Sequence, residues 1–297
     1  MIIYNGGGGS DWTLVASIDG ENPQGATNVT EGEWTHAAIA VTPVTKSYKI
    51  YMNGILDGSG TFSNTLLTFS GSTLFIGKSH YGEFFEGNIS QVGIWYGELT
   101  QAKIQSVMES TSYAKIPADV KNEYGDELIV NGTMEADSNW SDYNTPDVNE
   151  RSSEQAHSGT YSRKVDTNAN YEGISSDGYT TVTGDLYTVS FWVYPTNVDS
   201  IRVRIQEGDG SGDVATSSGT NPTFSSLNLN AWNEVTFTYV ESSGGSSGKL
   251  IIESGANTGA NNSVYYIDDA SVKEVKNEIA GYWALDSSDY TSASNHI

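Results

Sequence analysis

Apolar and polar side chains alternate along several short stretches of this chain, and that alternation most limits what the chain can fold into. In "LYTVSFWVYP", Val189, Phe191 and Val193 would point to one side of a strand, and Trp192 and Tyr194 to the other, because successive side chains of a strand face opposite ways. Clusters rich in Gly and Ser separate such stretches. Many short strands with turns at this spacing predict an all-β chain of layered sheets.

Length, charge and cysteine content exclude several function classes. The 297 residues suffice for two domains. A net charge of −23, from 37 acidic and 14 basic residues, predicts no nucleic-acid partner and no attraction to anionic lipid. The chain has no Cys, so disulfides and thiolate metal sites are excluded. The sequence predicts no membrane insertion and no signal peptide, because no apolar run is long enough to span a bilayer and "MIIYNGGGGSDW" lacks a basic segment.

Catalytic motifs are missing from the sequence, which predicts that the chain is not an enzyme. It contains neither a G-x-S-x-G elbow nor a phosphate loop, and its His residues do not have metal-ligand spacing. Glu83 and Glu86 lie three residues apart, so a strand would place them on opposite faces, whereas glycoside hydrolysis needs two facing carboxylates.

The segments "GEWTHAAIAV", "YKIYMNGIL", "FFEGNISQVGIW" and "ELTQAKIQSVM" resemble, in order and spacing, the last two-thirds of a laminin-G-like domain of the concanavalin A-like type. The resemblance implies a sandwich over residues 1–112 that lacks its opening strands. Trp34 and Trp95 are expected to fill its core. Asn53-Gly54 predicts a hairpin turn, and Thr100 is a suitable cap for one short helix.

Residues 113–125 are polar and irregular, and we expect a linker there. The motif "GYWALD", which normally opens a laminin-G-like domain, occurs instead near the end of the chain. Residues 277–297 would then begin a further unit of an array, or donate a strand that completes the N-terminal sandwich within the chain or in a neighbouring subunit. A disordered tail is the third alternative.

The segments "ELIVNGTMEADSNW", "AHSGTYSRKV", "LYTVSFWVYP", "AWNEVTFTYV" and "VYYIDDASVKEV" resemble a carbohydrate-binding module with a galactose-binding-like jelly roll, which we assign to residues 126–276. Members often bind glycans, and some only build structure. In similar modules a structural Ca²⁺ lies beside the first and last strands. The matching positions here are Glu135, Ser158 with Gly159, and Asp268 or Asp269, and oxygen ligands of this kind suit a hard cation. Alternatively, these acids cap turns and face water.

For sugar contact, strand alternation indicates one candidate face. If the strands 187–195 and 201–207 are paired, flat aromatic rings and hydrogen-bond donors share their outer side. The predicted carbohydrate-binding residues are Trp192, Tyr194, Arg202, Arg204 and Gln206, with Tyr171, Tyr143 and Trp140 at the rim. The alternative is that Trp192 and Arg204 stack on each other as ordinary packing.

Modular β-sandwiches, strong acidity and the absence of Cys together resemble bacteriophage virion proteins such as tail fibres. The sequence therefore predicts a non-catalytic glycan-binding or structural protein of a virion, with host polysaccharide and other virion subunits, including further copies of the chain, as partners. The alternative is an accessory segment of a secreted bacterial enzyme or adhesin.

Overall fold

The computed structural model describes residues 2–5, 12–16, 21–42, 45–63, 76–77, 84–255 and 263–285. Glu83, named above with Glu86, lies outside the described residues. So do residues 286–297 of the C-terminal segment discussed above. The chain divides into two compact units. The first comprises residues 1–123 and 276–297, and the second comprises residues 124–275.

The first unit consists of short antiparallel strands and a few helical turns. Its elements are β1 (Ile2–Asn5), β2 (Trp12–Val15), β3 (Gln24–Val29), β4 (Ala37–Thr42), β5 (Ser47–Met52), β6 (Ile55–Thr61), β7 (Val92–Tyr96), α1 (Gln101–Glu109), a 3₁₀ turn (Tyr113–Lys115) and α2 (Ala118–Lys121). Strands β1, β2 and β3 form one sheet, and β4, β5 and β6 form another.

The hairpin between β5 and β6 turns at Asn53-Gly54, as the sequence predicts. Met52 pairs with Ile55, and both turn residues have positive φ, the geometry that favours Asn-Gly. Strand β5 is buried on both faces rather than one, because Ile50 and its neighbour Tyr51 are both buried. Tyr51 packs with α1, and the side chain of Ile50 approaches Gly25 of β3.

The segment expected as a linker is instead part of the first unit's core. Ile116 and Val120 are buried in one cluster with Leu99 and Ile104, since the turns of 113–121 bring two apolar side chains onto helix α1. Helix α1 begins as predicted, with the Thr100 hydroxyl accepting a hydrogen bond from the Lys103 amide.

The two tryptophans assigned to this core differ in burial. Trp95 packs against the cluster, and its indole N–H donates to the carbonyl of Val120 at 2.9 Å. The expectation for Trp34 is wrong. It lies in an irregular segment before β4, and 70% of its surface is exposed.

The second unit is a sandwich of two antiparallel sheets. Its strands are β8 (Asn122–Glu127), β9 (Trp140–Tyr143), β10 (Val148–Ser152), β11 (Ser162–Thr167), β12 (Gly173–Ser176), β13 (Tyr179–Thr181), β14 (Leu186–Pro195), β15 (Ile201–Gln206), β16 (Ala215–Thr216), β17 (Gly219–Thr220), β18 (Thr223–Phe224), β19 (Asn233–Val240), β20 (Gly245–Glu253) and β21 (Ser263–Trp283); β8 enters from the first unit and β21 returns to it. The first sheet has the order β10-β11-β21-β14-β19-β16-β17, and the second has the order β18-β15-β20-β12-β9 with β13 beside β20. The fold is thus all-β, as the alternation predicts.

The end of β21 belongs to the first unit. Glu278 pairs with Tyr96 and Trp283 with Val92, so the "GYW" segment lies antiparallel to β7. Asn277 is buried, accepts a hydrogen bond from Lys103 and donates to the carbonyl of Val120. Residues 278–283 are therefore paired with a strand of the first unit.

The faces of β14 and β15 are as predicted, but their pairing is not. Val193 and Val203 are fully buried, whereas Trp192 and Arg204 turn outward. Strand β14 pairs with β19 and β21 in the first sheet, while β15 pairs with β18 and β20 in the second. The residues between β14 and β15 cross from one sheet to the other, so the expected pairing of these two strands is wrong. No helix of the described residues is long and apolar enough to cross a membrane.

Candidate functional site

The outer face of the second sheet carries a row of polar side chains along β15. Alternation sends Val203 and Ile205 into the core and leaves Arg202, Arg204 and Gln206 outside, each partly exposed. The amide of Gln206 donates to the Ser247 carbonyl at 2.7 Å, which fixes one end of the row.

The pairing of four neighbouring strands places one residue from each in a line across the sheet. Arg202 is opposite Glu253, Glu253 is opposite Gly173, and Gly173 is opposite Tyr143. Gly173 contributes no side chain, and an added Cβ there would lie only 2.1 Å from the Ile252 carbonyl oxygen. The line therefore has a gap between Glu253 and the ring of Tyr143.

Arg204 is held in place by two neighbours. Its Nε and Nη2 atoms donate to both carboxylate oxygens of Asp213, at 2.8–3.1 Å. Its guanidinium also lies over the ring of Tyr143, 5.2 Å from the centroid, and donates to the phenol oxygen. Asn221 donates to the same Asp213 carboxylate at 2.9 Å. A bidentate pair of this kind fixes both position and orientation of the guanidinium.

Arg202 forms the second arginine–tyrosine pair. Its guanidinium lies 4.8 Å from the ring centroid of Tyr171 and donates to the carboxylate of Glu253 beneath it. Tyr171 has positive φ and donates its amide to the Ser254 carbonyl, so the loop before β12 presents its ring outward, with 38% of the residue exposed. We call these residues the arginine face: Tyr143, Tyr171, Arg202, Arg204 and Gln206, with Glu253 and Asp213 as their supports.

Glu253 is a buried acid at the centre of this arrangement. Burial raises the pKa of its carboxyl, and the positive charges of Arg202 and Arg204 act in the opposite direction. Oε2 of Glu253 and Oδ1 of Asn221 are buried acceptors that no donor of the described residues reaches. Each buried acceptor left without a donor costs free energy.

Trp192 and Tyr194 are not part of this face. They lie on the outer side of the first sheet, where the imidazole of His157 stacks on the Trp192 indole with centroids 3.9 Å apart. Tyr194 meets Trp232 edge to face. Stacking between Trp192 and Arg204 is excluded because they belong to different sheets. Trp140, expected at the rim, is buried in the core and donates to the Asn131 carbonyl.

The residues assigned to Ca²⁺ do come together, around a loop at residues 156–161. Asp268 accepts from the amides of His157 and Ser158, and Asp269 accepts from the side chains of the same two residues. Glu135 accepts from the amides of Thr160 and Tyr161. A β-bulge in β21, with positive φ at Asp269, turns both aspartates towards this loop.

The chain itself supplies hydrogen-bond donors to these acids. Both oxygens of Asp268, both of Asp269 and Oε1 of Glu135 each accept at least one hydrogen bond from an N–H or O–H group. Within the described ranges, no group of three or more acidic or His side chains is arranged to hold a metal ion.

Sequence reasoning found the arginines and Tyr171 but missed what holds them. Glu253 and Asp213 lie 51 and 9 residues from their arginine partners. For Glu253, the signal was its place at the end of the apolar run "KLIIE", where an acid on a buried strand requires a partner. Asp213 lies in a Gly- and Ser-rich loop, and nothing in the sequence distinguishes it from its neighbours.

Comparison with known proteins finds two family models that match parts of the chain. Residues 1–105 match the family described as the concanavalin A-like lectin/glucanases superfamily. Residues 126–263 match the family described as carbohydrate binding domain. No curated protein matches the chain.

Several solved structures resemble about half of the chain. The CBM22-1 xylan-binding domain of Paenibacillus barcinonensis Xyn10C is 18% identical, with 52% of this chain and 97% of that one covered and a TM-score of 0.38. The N-terminal cellulose-binding domain of Cellulomonas fimi β-1,4-glucanase C is 17% identical, with coverages of 50% and 96% and a TM-score of 0.37. TmCBM61 in complex with β-1,4-galactotriose is 15% identical, with coverages of 50% and 98% and a TM-score of 0.37.

Proposed function

We propose that this chain, which joins a concanavalin A-like domain to a carbohydrate-binding domain, binds polysaccharide on the arginine face of its second unit. The observation that carries the proposal is the pair of Tyr–Arg stacks on one sheet face, Tyr143 with Arg204 and Tyr171 with Arg202. Flat rings offer an apolar surface to the C–H groups of a sugar, and the amide of Gln206 and the guanidinium groups offer hydrogen bonds to its hydroxyls.

The face is built before the ligand arrives. Arg202 and Arg204 are each ion-paired to a carboxylate, and both tyrosines are packed against them. A surface held in this way loses little side-chain entropy on binding, which favours affinity.

The charge distribution favours uncharged sugars. Each arginine is already neutralised by Glu253 or Asp213, so neither adds net positive charge to the face. The chain as a whole carries a net charge of −23, which repels polyanions. We therefore propose hydroxyl-rich, uncharged polysaccharides as the ligand class.

The test is isothermal titration calorimetry of the full chain against soluble uncharged polysaccharides and polyuronates. Tyr143→Ala and Tyr171→Ala should each weaken binding by about tenfold or more, the size of loss seen for central aromatic contacts. Trp192→Ala is the matched control, since it removes an aromatic residue from the other sheet. Loss of binding with Trp192→Ala alone, tighter binding of polyuronates, or silence on every polysaccharide would each overturn the proposal.

We propose a non-catalytic role in a virion, as a tail-fibre or decoration protein that contacts host polysaccharide. The support is compositional: modular β-units, strong acidity and no Cys. A secreted polysaccharide-binding segment needs the same face. Immunoblotting purified particles and culture supernatant with an antibody against this chain distinguishes the two, because a virion protein sediments with the particles.

A further inference from the structure

The 156–161 loop is fastened to the second unit by hydrogen bonds that run from its own atoms to acids at the two ends of the domain. The amides of His157 and Ser158 donate to Oδ2 of Asp268 at 2.8 and 3.1 Å. The amides of Thr160 and Tyr161 donate to Oε1 of Glu135 at 2.7 and 3.0 Å. Four loop amides thus point at the carboxylates to which a metal would need access.

A positive charge is already present at this position. Arg151 donates to the backbone carbonyl of Glu135 at 2.9 Å, and its guanidinium stacks on the Tyr161 ring at 4.1 Å. The Arg151 guanidinium thus lies beside the residue whose carboxylate accepts from two loop amides. The anion at Glu135 is therefore compensated by groups of the chain itself, and a divalent cation beside it would be repelled by the guanidinium.

Gly159 and the stack of His157 on Trp192 also help to hold the loop. Gly159 has positive φ, and a Cβ there would lie 2.1 Å from Oε1 of Glu135, so only glycine lets the loop pass this close to the acid. His157 covers the Trp192 indole, which anchors the loop to the sheet.

The resemblance to calcium-binding modules implies a metal beside the 156–161 loop. We propose that in this chain the hydrogen bonds of the loop amides, together with Arg151, hold the loop there instead of a metal. The second unit then folds and keeps this loop ordered without Ca²⁺.

The first experiment compares the full chain in CaCl₂ and in excess chelator. We expect the same melting temperature in both, and equal hydrogen-exchange protection of the amides of His157, Ser158, Thr160 and Tyr161. A bound structural ion at a hundred times its dissociation constant would instead raise the melting temperature by about 5–10 °C in a domain of this size. Such a rise, or loss of protection at these amides in chelator, would overturn the proposal.

A pair of variants distinguishes a loop held by amide hydrogen bonds from a loop held by a metal ion, independently of the wild-type result. Glu135→Gln keeps an oxygen acceptor for the loop amides, whereas Glu135→Ala removes it. We expect Glu135→Ala to melt about 4–8 °C below Glu135→Gln in both buffers, the shift for the two amide hydrogen bonds that alanine removes. If the two variants melt together, and both lose a calcium-dependent shift that the wild type shows, then Glu135 is a metal ligand and the proposal is wrong.

Discussion

The imidazole of His157 lies flat on the indole of Trp192, with ring centroids 3.9 Å apart and planes 14° from parallel. Trp192 belongs to a strand of the first sheet and His157 to the loop that covers it. One face of the indole is therefore occupied by the protein, so this tryptophan serves to dock a loop.

Replacing Trp192 tests that role. We expect Trp192→Ala to lower the free energy of unfolding by about 1–3 kcal/mol, because it removes an aromatic stack and the area buried beneath it. Chemical denaturation measures the change. Trp192→Phe keeps a ring under His157 and should cost less. Equal stability of the alanine variant and the wild type would show that the stack contributes nothing.

Asp213 should matter for binding through Arg204. Asp213→Asn presents an amide N–H to a guanidinium that needs acceptors, so Arg204 and the Tyr143 ring lose their fixed position. We expect polysaccharide affinity to fall about three- to tenfold, with a stability loss of about 1–2 kcal/mol. Calorimetric titration and urea unfolding measure the two effects.

The matched control for that variant is Asp209→Asn in the neighbouring turn. Asp209 is exposed and caps the amide of Ser211 through one oxygen, which asparagine also supplies. Its affinity should equal that of the wild type. If both variants weaken binding alike, the effect comes from charge and not from the position of Arg204.

Asn277 should be important for the first unit, although it lies far along the chain from most of that unit. Asn277→Ala leaves the carbonyl of Val120 and the ammonium of Lys103 each without one partner in a buried setting. We expect a loss of about 1–3 kcal/mol, because two buried or partly buried hydrogen bonds are removed. Differential scanning calorimetry should show a lower transition temperature, whereas Asn28→Ala, at an exposed strand position, should not shift it.

Stability should fall at alkaline pH because the second unit buries several phenols. Burial raises the pKa of Tyr179, Tyr239 and Tyr265. Above about pH 10 these side chains ionise in the unfolded chain but keep their protons in the folded one. The folded state then binds more protons, so the free energy of unfolding falls with rising pH, by about 1.4 kcal/mol per pH unit for each such tyrosine.

Denaturation curves between pH 8 and about 11.5 check this slope. Tyr239→Phe removes one of the phenols together with its 3.5 Å contact to the Tyr179 hydroxyl. The slope of that variant should be shallower by the contribution of one tyrosine. A slope identical to the wild type would mean that Tyr239 ionises as easily in the fold as out of it.

Part of the candidate site is predictable from the sequence because it depends only on the alternation of side chains along a strand. Arg202, Arg204 and Gln206 were assigned to one outer face, and they lie there. Tyr171 was named as a rim residue, and it stacks on Arg202. The prediction that Trp192 and Tyr194 share this face is wrong, because it assumes that the consecutive strands β14 and β15 pair. Neighbouring strands do so often but not always.

The supports of the site could not be predicted from local pattern. Glu253 meets Arg202 only because β20 pairs with β15 at one register, and Asp213 meets Arg204 only because a loop folds back on the strand. The same holds for Ile116 and Val120, whose apolar character is plain but whose partners on α1 follow from the fold of the first unit.

The sequence by itself determined which side chains of each strand face the core, where the Asn53-Gly54 turn falls and where helix α1 begins. These features follow from interactions between residues a few positions apart, since the two-residue repeat of a strand and the cap of a helix are local. Only the tertiary structure decided which sheet each strand joins, and so placed Trp192 and Arg204 on separate sheets. Strand partners are chosen by hydrogen bonds and packing between distant segments, and the alternation of a strand is the same whichever partner it takes.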